Sequence, residues 1–412
     1  MEKRRVVITG MGAVSPIGNT TNEMWKNAKG GLCGIDYIKS FDTENHKVKI
    51  AGELKNFNIE DHMDKMQARR TAKFSQYAIV AAREAMAQSG LDMTKVNANR
   101  CGSNVSSGIG GLGVIEEEHS KGLKRGFDRI SPLFVPMAIT NMAAGLVAIE
   151  FGLRGSCTCV VTACASGTNA IGEAFRQIRD GYADVMVTGG AESCISELGI
   201  GGFTSMKALN EEENPKRASI PFDKERGGFV MGEGAGVLVL EDYQHAVARG
   251  ANILGEVVGY GVSCDANHMT APLEDGSGAA ACMVNAIEDA GIKASEVGYI
   301  NAHGTATPLN DKCETAAVKS AFGDAAKTLA ISSTKSMTGH LLGASGAIEA
   351  IFATSALQDQ FAPPTVGYEV PDPDCDLDII PNKGRKIETE YAMSNSLGFG
   401  GHNASLIFRR VK

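Results

Sequence analysis

No stretch of about 18 consecutive apolar residues occurs in the 412-residue chain, which excludes a membrane-spanning helix of ordinary length. Met1-Glu2-Lys3-Arg4-Arg5 leads straight into an apolar strand and not into a signal-peptide core, so a cytoplasmic protein is expected. None of the ten cysteines forms the C-x-x-C pairs of a zinc site, and Cys157-Thr158-Cys159 reads as a buried strand. Reduced thiols and no catalytic metal are the expectation. Basic charge is not in excess: the net charge of -8 excludes nucleic-acid binding by bulk electrostatics. Gly10-Met11-Gly12-Ala13-Val14-Ser15 imitates a dinucleotide fingerprint, but Ser15 stands for the third glycine and Pro16 follows at once. No second strand closes on an acidic residue at the right distance, which argues against nucleotide binding. A Pro/Ser-rich linker is also missing. With 43% hydrophobic and 21% charged residues, the chain can bury a large core, and its length suggests two or so domain-sized units sharing one interface.

What is present begins with Val160 to Asn169, where an apolar β-branched run ends and an Ala/Gly-rich helix begins. Read as strand, turn and helix, this segment holds the Cys164 sulfur near the first N–H groups of the helix, which favour thiolate over thiol. On this segment alone, a buried small apolar residue is an equally good reading. Two histidines change the balance. His303 follows the short apolar strand at Tyr299 and enters a loop of small and hydroxyl residues; His340 follows the apolar strand Leu329 to Ser332 and precedes a second Ala-rich helix. Three reactive side chains thus follow predicted strand ends, the edge at which open α/β sheets bind ligands. Elsewhere, Glu116-Glu117-Glu118 reads as a solvated helix face, and His46, His62, His119 and His245 as surface residues.

The order strand, small-residue loop, Ala-rich helix occurs at Thr158 to Ile178 and again at Leu329 to Leu357. Each copy is followed by a glycine-rich strand, Gly228 to Leu240 in the first and Gly398 to Phe408 in the second. Two copies of one α/β unit are the economical explanation. The boundary falls near residue 250, giving an N-terminal half, 1–250, with Cys164 and a C-terminal half, 251–412, with His303 and His340.

The strings TACASG (162–167), NAHGTATPLND (301–311), KSMTGHLLGASG (335–346) and NSLGFGGHN (395–403) resemble the β-ketoacyl-[acyl-carrier-protein] synthases with a Cys-His-His triad. The resemblance runs from Val6 to Asn403 and implies an α/β thiolase-like fold: two pseudo-duplicated βαβαβαββ halves stacked as five α-β-α-β-α layers. It implies that Cys164 takes the acyl chain, that the N–H groups of Cys164 and Phe399 form the oxyanion hole with Phe399 as a gate, and that His303 and His340 decarboxylate a malonyl unit. Lys335, acting through Glu349, would orient and polarise the histidine pair. Substrate would contact Ile109, Phe203, Thr270, Thr305, Thr307 and Phe399, with Thr270 preferred over His268. Asn301, Glu314, Glu349 and Ser394 match positions near a monovalent-cation or water site, and no cofactor is required. Acyl carrier protein is the implied partner. It would dock on Lys65, Arg69, Arg70, Lys124, Arg125, Arg129 and Lys207, with Asp128 weakening that patch. A C2 homodimer with Met137-Ala138 near the neighbour's acyl tunnel is expected.

The second histidine separates the chain from Cys-His-Asn priming synthases and Cys-His-Cys thiolases and points to the elongating, type II class of fatty-acid synthesis. Ile109 resembles the long-chain members, in which a branched side chain must move to admit longer acyl groups. Gly227 stands where the family more often has Asp, and His402 where many members have Thr. A polyketide ketosynthase shares the triad. A catalytically silent partner subunit is the remaining alternative, although such subunits usually lose the nucleophile that Cys164 retains.

Overall fold

The computed structural model describes residues 3–411. Its main sheet has ten strands: β1 (Val6–Val14), β2 (Cys101–Ser106), β3 (Cys157–Thr158), β4 (Val185–Glu192), β5 (Gly234–Asp242), β6 (Gly255–Cys264), β7 (Val297–Asn301), β8 (Ala330–Ser332), β9 (Tyr391–Gly398) and β10 (His402–Arg409). Six helices cover it: α1 (Lys73–Ser89), α2 (Met142–Phe151), α3 (Ser166–Arg179), α4 (Ser277–Ala290), α5 (Pro308–Phe322) and α6 (Ser345–Asp359).

The strand order is β8-β7-β9-β10-β6-β1-β5-β4-β2-β3, and it reads as two copies of one pattern meeting at β6 and β1. Outward from that seam the first copy runs β1-β5-β4-β2-β3 and the second β6-β10-β9-β7-β8. The pairing senses repeat as well. In each copy the first two contacts are antiparallel and the last two parallel. Only a short antiparallel ladder, Val6 to Ile8 against Val257 to Gly255, joins the halves edge to edge.

Helices α1 and α2 lie on the outer face of the first half, and α4 and α5 on that of the second. Between the halves, α3 and α6 touch each other and strands of both copies, which completes the α-β-α-β-α layers. A helix sandwiched between two sheets has no solvent face, and α6 is buried from Ser345 to Leu357. Its Ala, Gly and Ser content lets both sheets approach closely. Glycine serves the same end on the outer layers: a Cβ on Gly10 or Gly12 of β1 would meet the Ala85 or Ala81 carbonyl oxygen of α1 at 2.0 or 1.9 Å. On Gly259 or Gly261 of β6 it would meet the Ala286 or Cys282 oxygen of α4 at 2.3 or 2.1 Å. The apparent dinucleotide fingerprint is therefore a helix-packing face within a buried strand.

Two expectations are corrected. Cys157 and Thr158 are exposed, because β3 is the outermost strand of the first half and nothing pairs with its outer edge among the described residues. The Glu116-Glu117-Glu118 run is not uniformly solvated: Glu118 turns inward, where its carboxylate accepts from Lys121 and from the Ser131 N–H. Among the described residues, no helix is long and apolar enough to cross a membrane.

Candidate active site

Cys164 sits in a tight 3-10 turn, Ala163–Ala165, immediately before α3. Ala163 takes φ of +49°, a left-handed conformation that turns the chain sharply at the strand-to-helix junction. The Ser166 hydroxyl closes the turn by accepting from the Thr162 N–H at 2.9 Å and donating to the Ala163 carbonyl at 2.7 Å. The second half repeats this elbow: Leu342 at φ +48° opens a 3-10 turn, Leu342–Ala344, before α6. Gly343 thus occupies the position that Cys164 holds in the first half. The internal repeat extends to the shape of this turn, while of the two copies only the first carries a cysteine there.

From the hairpin between β9 and β10, the Phe399 N–H comes near the Cys164 sulfur and pulls its thiol toward thiolate. Close approach is enforced by Gly398, where a Cβ would lie 2.6 Å from the Thr162 oxygen and 3.4 Å from the Cys164 nitrogen. The sulfur is nearly enclosed, at 8% exposure. Burial pushes its thiol up to about 12, against the pull of Lys335 and the Phe399 N–H. The helix N-terminus alone therefore does not make a standing thiolate in the closed site, contrary to the expectation from the segment. Cys157 and Cys264 are exposed, so Cys164 is not singled out by access either.

His303 follows β7, and its loop is held by Glu314 of α5, whose carboxylate accepts from the His303 and Gly304 N–H groups at 2.8 and 2.7 Å. His340 is fixed by its own N–H donating to the Val230 carbonyl at 2.7 Å. The Ser345 hydroxyl lies 2.8 Å from His340 Nδ1 and, as donor, leaves Nε2 carrying the proton. The two imidazole rings meet edge to face with centroids 5.3 Å apart, and Phe229 stands edge-on to His340 at 5.2 Å. Burial first, and then the nearby Lys335 ammonium, hold both histidines well below the usual range. Both are neutral at pH 7. His303 Nδ1 and His340 Nε2 are buried and have no partner among the described residues. Lys335 is itself buried and paired with Glu349 of α6.

These groups open on one cavity of about 330 Å³. Of the residues expected to meet substrate, it is lined by Phe203, Thr270, Thr305, Thr307 and Phe399 together with Cys164, His303 and His340, with Lys207 also on its wall. Ile109 is not on its wall. It packs with Phe203 against the apolar cluster around Cys164, which includes Ile195, Phe229 and Leu342. His268 stays outside and uses Nδ1 to accept from the Thr270 and Ala271 N–H groups at 3.1 Å.

Asn301 Oδ1, Ser394 Oγ and Glu349 Oε2 are buried without partners among the described residues. Asn301 and Ser394 are register partners on β7 and β9, so two of these oxygens come from adjacent strands. Oxygen donors with one carboxylate fit a monovalent cation, whereas both Glu314 oxygens already accept N–H donors. Of the basic residues assigned to docking, Lys65, Arg69, Arg70, Lys124, Arg125, Arg129 and Lys207 are all exposed. Only Lys65 has a carboxylate partner among the described residues, Glu60 at 3.5 Å.

The sequence reading missed Phe229, Asp265 and Asn403, which also line the cavity, and the buried Glu192. Glu192 had a readable signal, a carboxylate closing an otherwise apolar and glycine strand. The others carry no chemistry that marks them before folding.

The N-terminal domain of β-ketoacyl synthase matches residues 3–246 and the C-terminal domain residues 254–369. The chain is 53% identical over 411 residues to 3-oxoacyl-[acyl-carrier-protein] synthase 2 of Staphylococcus aureus (strain COL), covering 100% of this chain and 99% of that protein. To the protein of the same name from Synechocystis sp. it is 48% identical over 413 residues, with coverage of 100% and 99%. Among solved structures, a type II PKS ketosynthase in complex with its acyl-carrier protein and bound to the hexaketide superposes with TM-score 0.93 at 37% identity, covering 100% of both chains. A β-ketoacyl synthase from Burkholderia phymatum STM815 gives 0.92 at 36% identity, covering 99% of this chain and 100% of that one. A buried cysteine at a strand-to-helix elbow, two neutral histidines across one cavity from it, and likeness along the full length agree: the chain belongs to the β-ketoacyl synthase family.

Proposed function

We propose that the chain extends an acyl group by two carbons through decarboxylative condensation of malonyl-acyl carrier protein with an acyl chain held on Cys164. The observation that carries this reading is the pair of neutral, buried imidazoles 5.3 Å apart, facing the same cavity as the cysteine. In the first half-reaction, the Cys164 sulfur attacks the thioester carbonyl of the acyl carrier. The N–H groups of Cys164 and Phe399 stabilise the oxyanion, and the thiol proton passes to the departing carrier sulfur. In the second, the malonyl C–C bond breaks, carbon dioxide leaves, and its electron pair forms a thioester enolate whose oxygen accepts hydrogen bonds from His303 and His340. A neutral imidazole donates without becoming an acid strong enough to quench that carbanion. The carbanion attacks the Cys164 acyl carbonyl, the C–S bond breaks, and the sulfur takes up one proton. Lys335, paired with Glu349, keeps the imidazoles neutral.

Asn301, Ser394 and Glu349 are proposed to hold a structural monovalent cation behind the histidines, with Glu314 supporting the loop, and no other cofactor enters the chemistry. Acyl carrier protein is the proposed partner, docking on the exposed basic residues around Lys65, Arg69, Arg70, Lys124, Arg125, Arg129 and Lys207. A cytoplasmic C2 homodimer is proposed on the exposed edge of β3, flanked by exposed Ile149 and Val161.

Measuring labelled carbon dioxide release and acyl-enzyme formation in two variants tests the division of labour. Cys164→Ala is expected to abolish condensation yet still release carbon dioxide from malonyl-acyl carrier protein. His340→Ala is expected to lose decarboxylation by about 100-fold or more while retaining acylation. Equal loss of both half-reactions in Cys164→Ala would sink the assignment. Fatty-acid elongation is preferred to polyketide synthesis because two relatives named 3-oxoacyl-[acyl-carrier-protein] synthase 2, at 53% and 48% identity, exceed the 37% of the polyketide ketosynthase.

A further inference from the structure

Glu192, the last residue of β4, is completely buried, takes no part in the chemistry above, and pairs with no lysine or arginine among the described residues. Backbone, hydroxyl and thiol donors surround it instead. One carboxylate oxygen accepts from the Ser107 hydroxyl at 2.7 Å, the Ile109 N–H at 3.4 Å and the Cys194 thiol at 3.4 Å. The other accepts from the Gly108 N–H at 2.7 Å and the Gly343 N–H at 3.0 Å. The Ser107 oxygen in turn accepts from the Gly110 N–H at 2.9 Å. Directly or through Ser107, the carboxylate therefore engages every residue of the turn Ser107 to Gly110.

One of these donors, the Gly343 N–H, comes from the other half of the molecule. Gly343 is the counterpart of Cys164 in the duplicated elbow, so Glu192 occupies the amide whose equivalent in the first half is free to serve the oxyanion. Space is made for it. A Cβ on Gly108 would lie 2.9 Å from the carboxylate, and one on Gly343 would lie 2.8 Å from it and 2.2 Å from the Gly108 nitrogen. Burial raises the Glu192 carboxyl above its usual range while the donors pull it back, the mark of an acceptor held out of water for its hydrogen bonds.

We infer that Glu192 is a specificity-determining positioning residue: it ties the turn carrying Ile109 to the second-half elbow, so that only the Ile109 side chain, and not its backbone, can yield to a growing acyl chain. The inference rests on the resemblance, which places Ile109 at the floor of the acyl pocket: Ile109 stands off the open cavity, in the apolar cluster that includes Cys164 and Phe203, so an acyl chain reaches it only beyond the present wall. Its consequence is that acyl-chain selectivity depends on a residue that touches no substrate.

Glu192→Gln separates the two ties. The amide oxygen can keep Gly108 and Gly343, while the NH2 group then faces the Ile109 N–H and removes the acceptor from the Ser107 hydroxyl. Acylation is followed with butyryl and tetradecanoyl thioesters of acyl carrier protein in the wild type, Glu192→Gln, Ser107→Ala, the double variant and Ile109→Phe. Glu192→Gln is expected to lower the ratio of kcat/KM for the short over the long substrate by about tenfold, the scale of one buried hydrogen bond to a charged group. Butyryl transfer stays within about threefold of wild type, because Cys164 and its donors are not touched. Ser107→Ala is expected to act in the same direction, and the double variant to be no worse than either single one, as for two members of one chain of hydrogen bonds. Ile109→Phe separates the premise from the inference. If it shifts the ratio while Glu192→Gln and Ser107→Ala do not, or lower both substrates in parallel, the positioning role is overturned and the pocket floor stands. If Ile109→Phe leaves the ratio unchanged, the floor assignment fails, and the inference with it.

Discussion

A buried ammonium beside two histidines does opposite things to the groups around it. The Lys335 charge lowers the His340 imidazole, together with burial, and favours the thiolate form of Cys164, although there burial prevails. In the proposed mechanism one lysine would thus serve both half-reactions by sign alone. Removing it with its partner, as Lys335→Met with Glu349→Gln, avoids stranding a buried carboxylate, which by itself costs about 3–5 kcal/mol. With the cation gone His340 protonates at a higher pH, so the acid limb of carbon dioxide release moves up. A pH–rate profile of decarboxylation checks this, and an unmoved acid limb removes Lys335 from the control of His340.

At the scale of elements, the duplication is as visible in what is absent as in what is present. β1 and β6 each give up side chains at two alternate positions so that α1 and α4 can lie directly on them. Gly12→Ala and Gly261→Ala should therefore destabilise the protein by similar amounts, about 1–3 kcal/mol each, because a methyl group would press into a helix carbonyl in both halves. Gly113, in the helix Leu112–Arg125, has nothing within 4 Å of an added Cβ, and there Gly113→Ala should stabilise by about 0.5–1 kcal/mol. Denaturant unfolding of the three variants measures the contrast. A Gly12→Ala protein as stable as wild type would show that the helix can shift, and that the close approach is not required.

For the whole molecule, the ten-stranded sheet ends on the first-half side in a strand whose outer edge is exposed, beside Ile149 and Val161 at 75% and 49% exposure. An open apolar edge invites pairing, and a two-fold axis there would let β3 meet its own copy and continue the sheet. Light scattering should then give a species of two chains at dilute concentration, and Ile149→Asp with Val161→Asp should release single chains. A wild-type chain that is monomeric and fully active would defeat the dimer.

How far the sequence reaches can be judged from particular residues. The repeat of strand, small-residue loop and helix, the segments bearing Cys164, His303 and His340, and the family were legible because local order and residue chemistry carry them. The grouping of Phe203 with Thr270 and of Asn301 with Ser394 was reached only through the family resemblance, while the place of Phe229 on the cavity wall and the Gly343 counterpart of Cys164 were not legible, since each brings together residues far apart in the chain. Cys164 shows the limit most clearly. The helix start that should favour thiolate is written in the segment, but the layers that bury the sulfur and raise its thiol come from both halves. Likewise Cys157-Thr158 has the apolar character of a core strand and lies at an edge, because position within a sheet is set by which strand pairs next and not by composition. The sequence by itself determined which groups can react and which local elements present them. Only the tertiary structure decided their charge states and their neighbours, because burial and long-range proximity are properties of the packed chain.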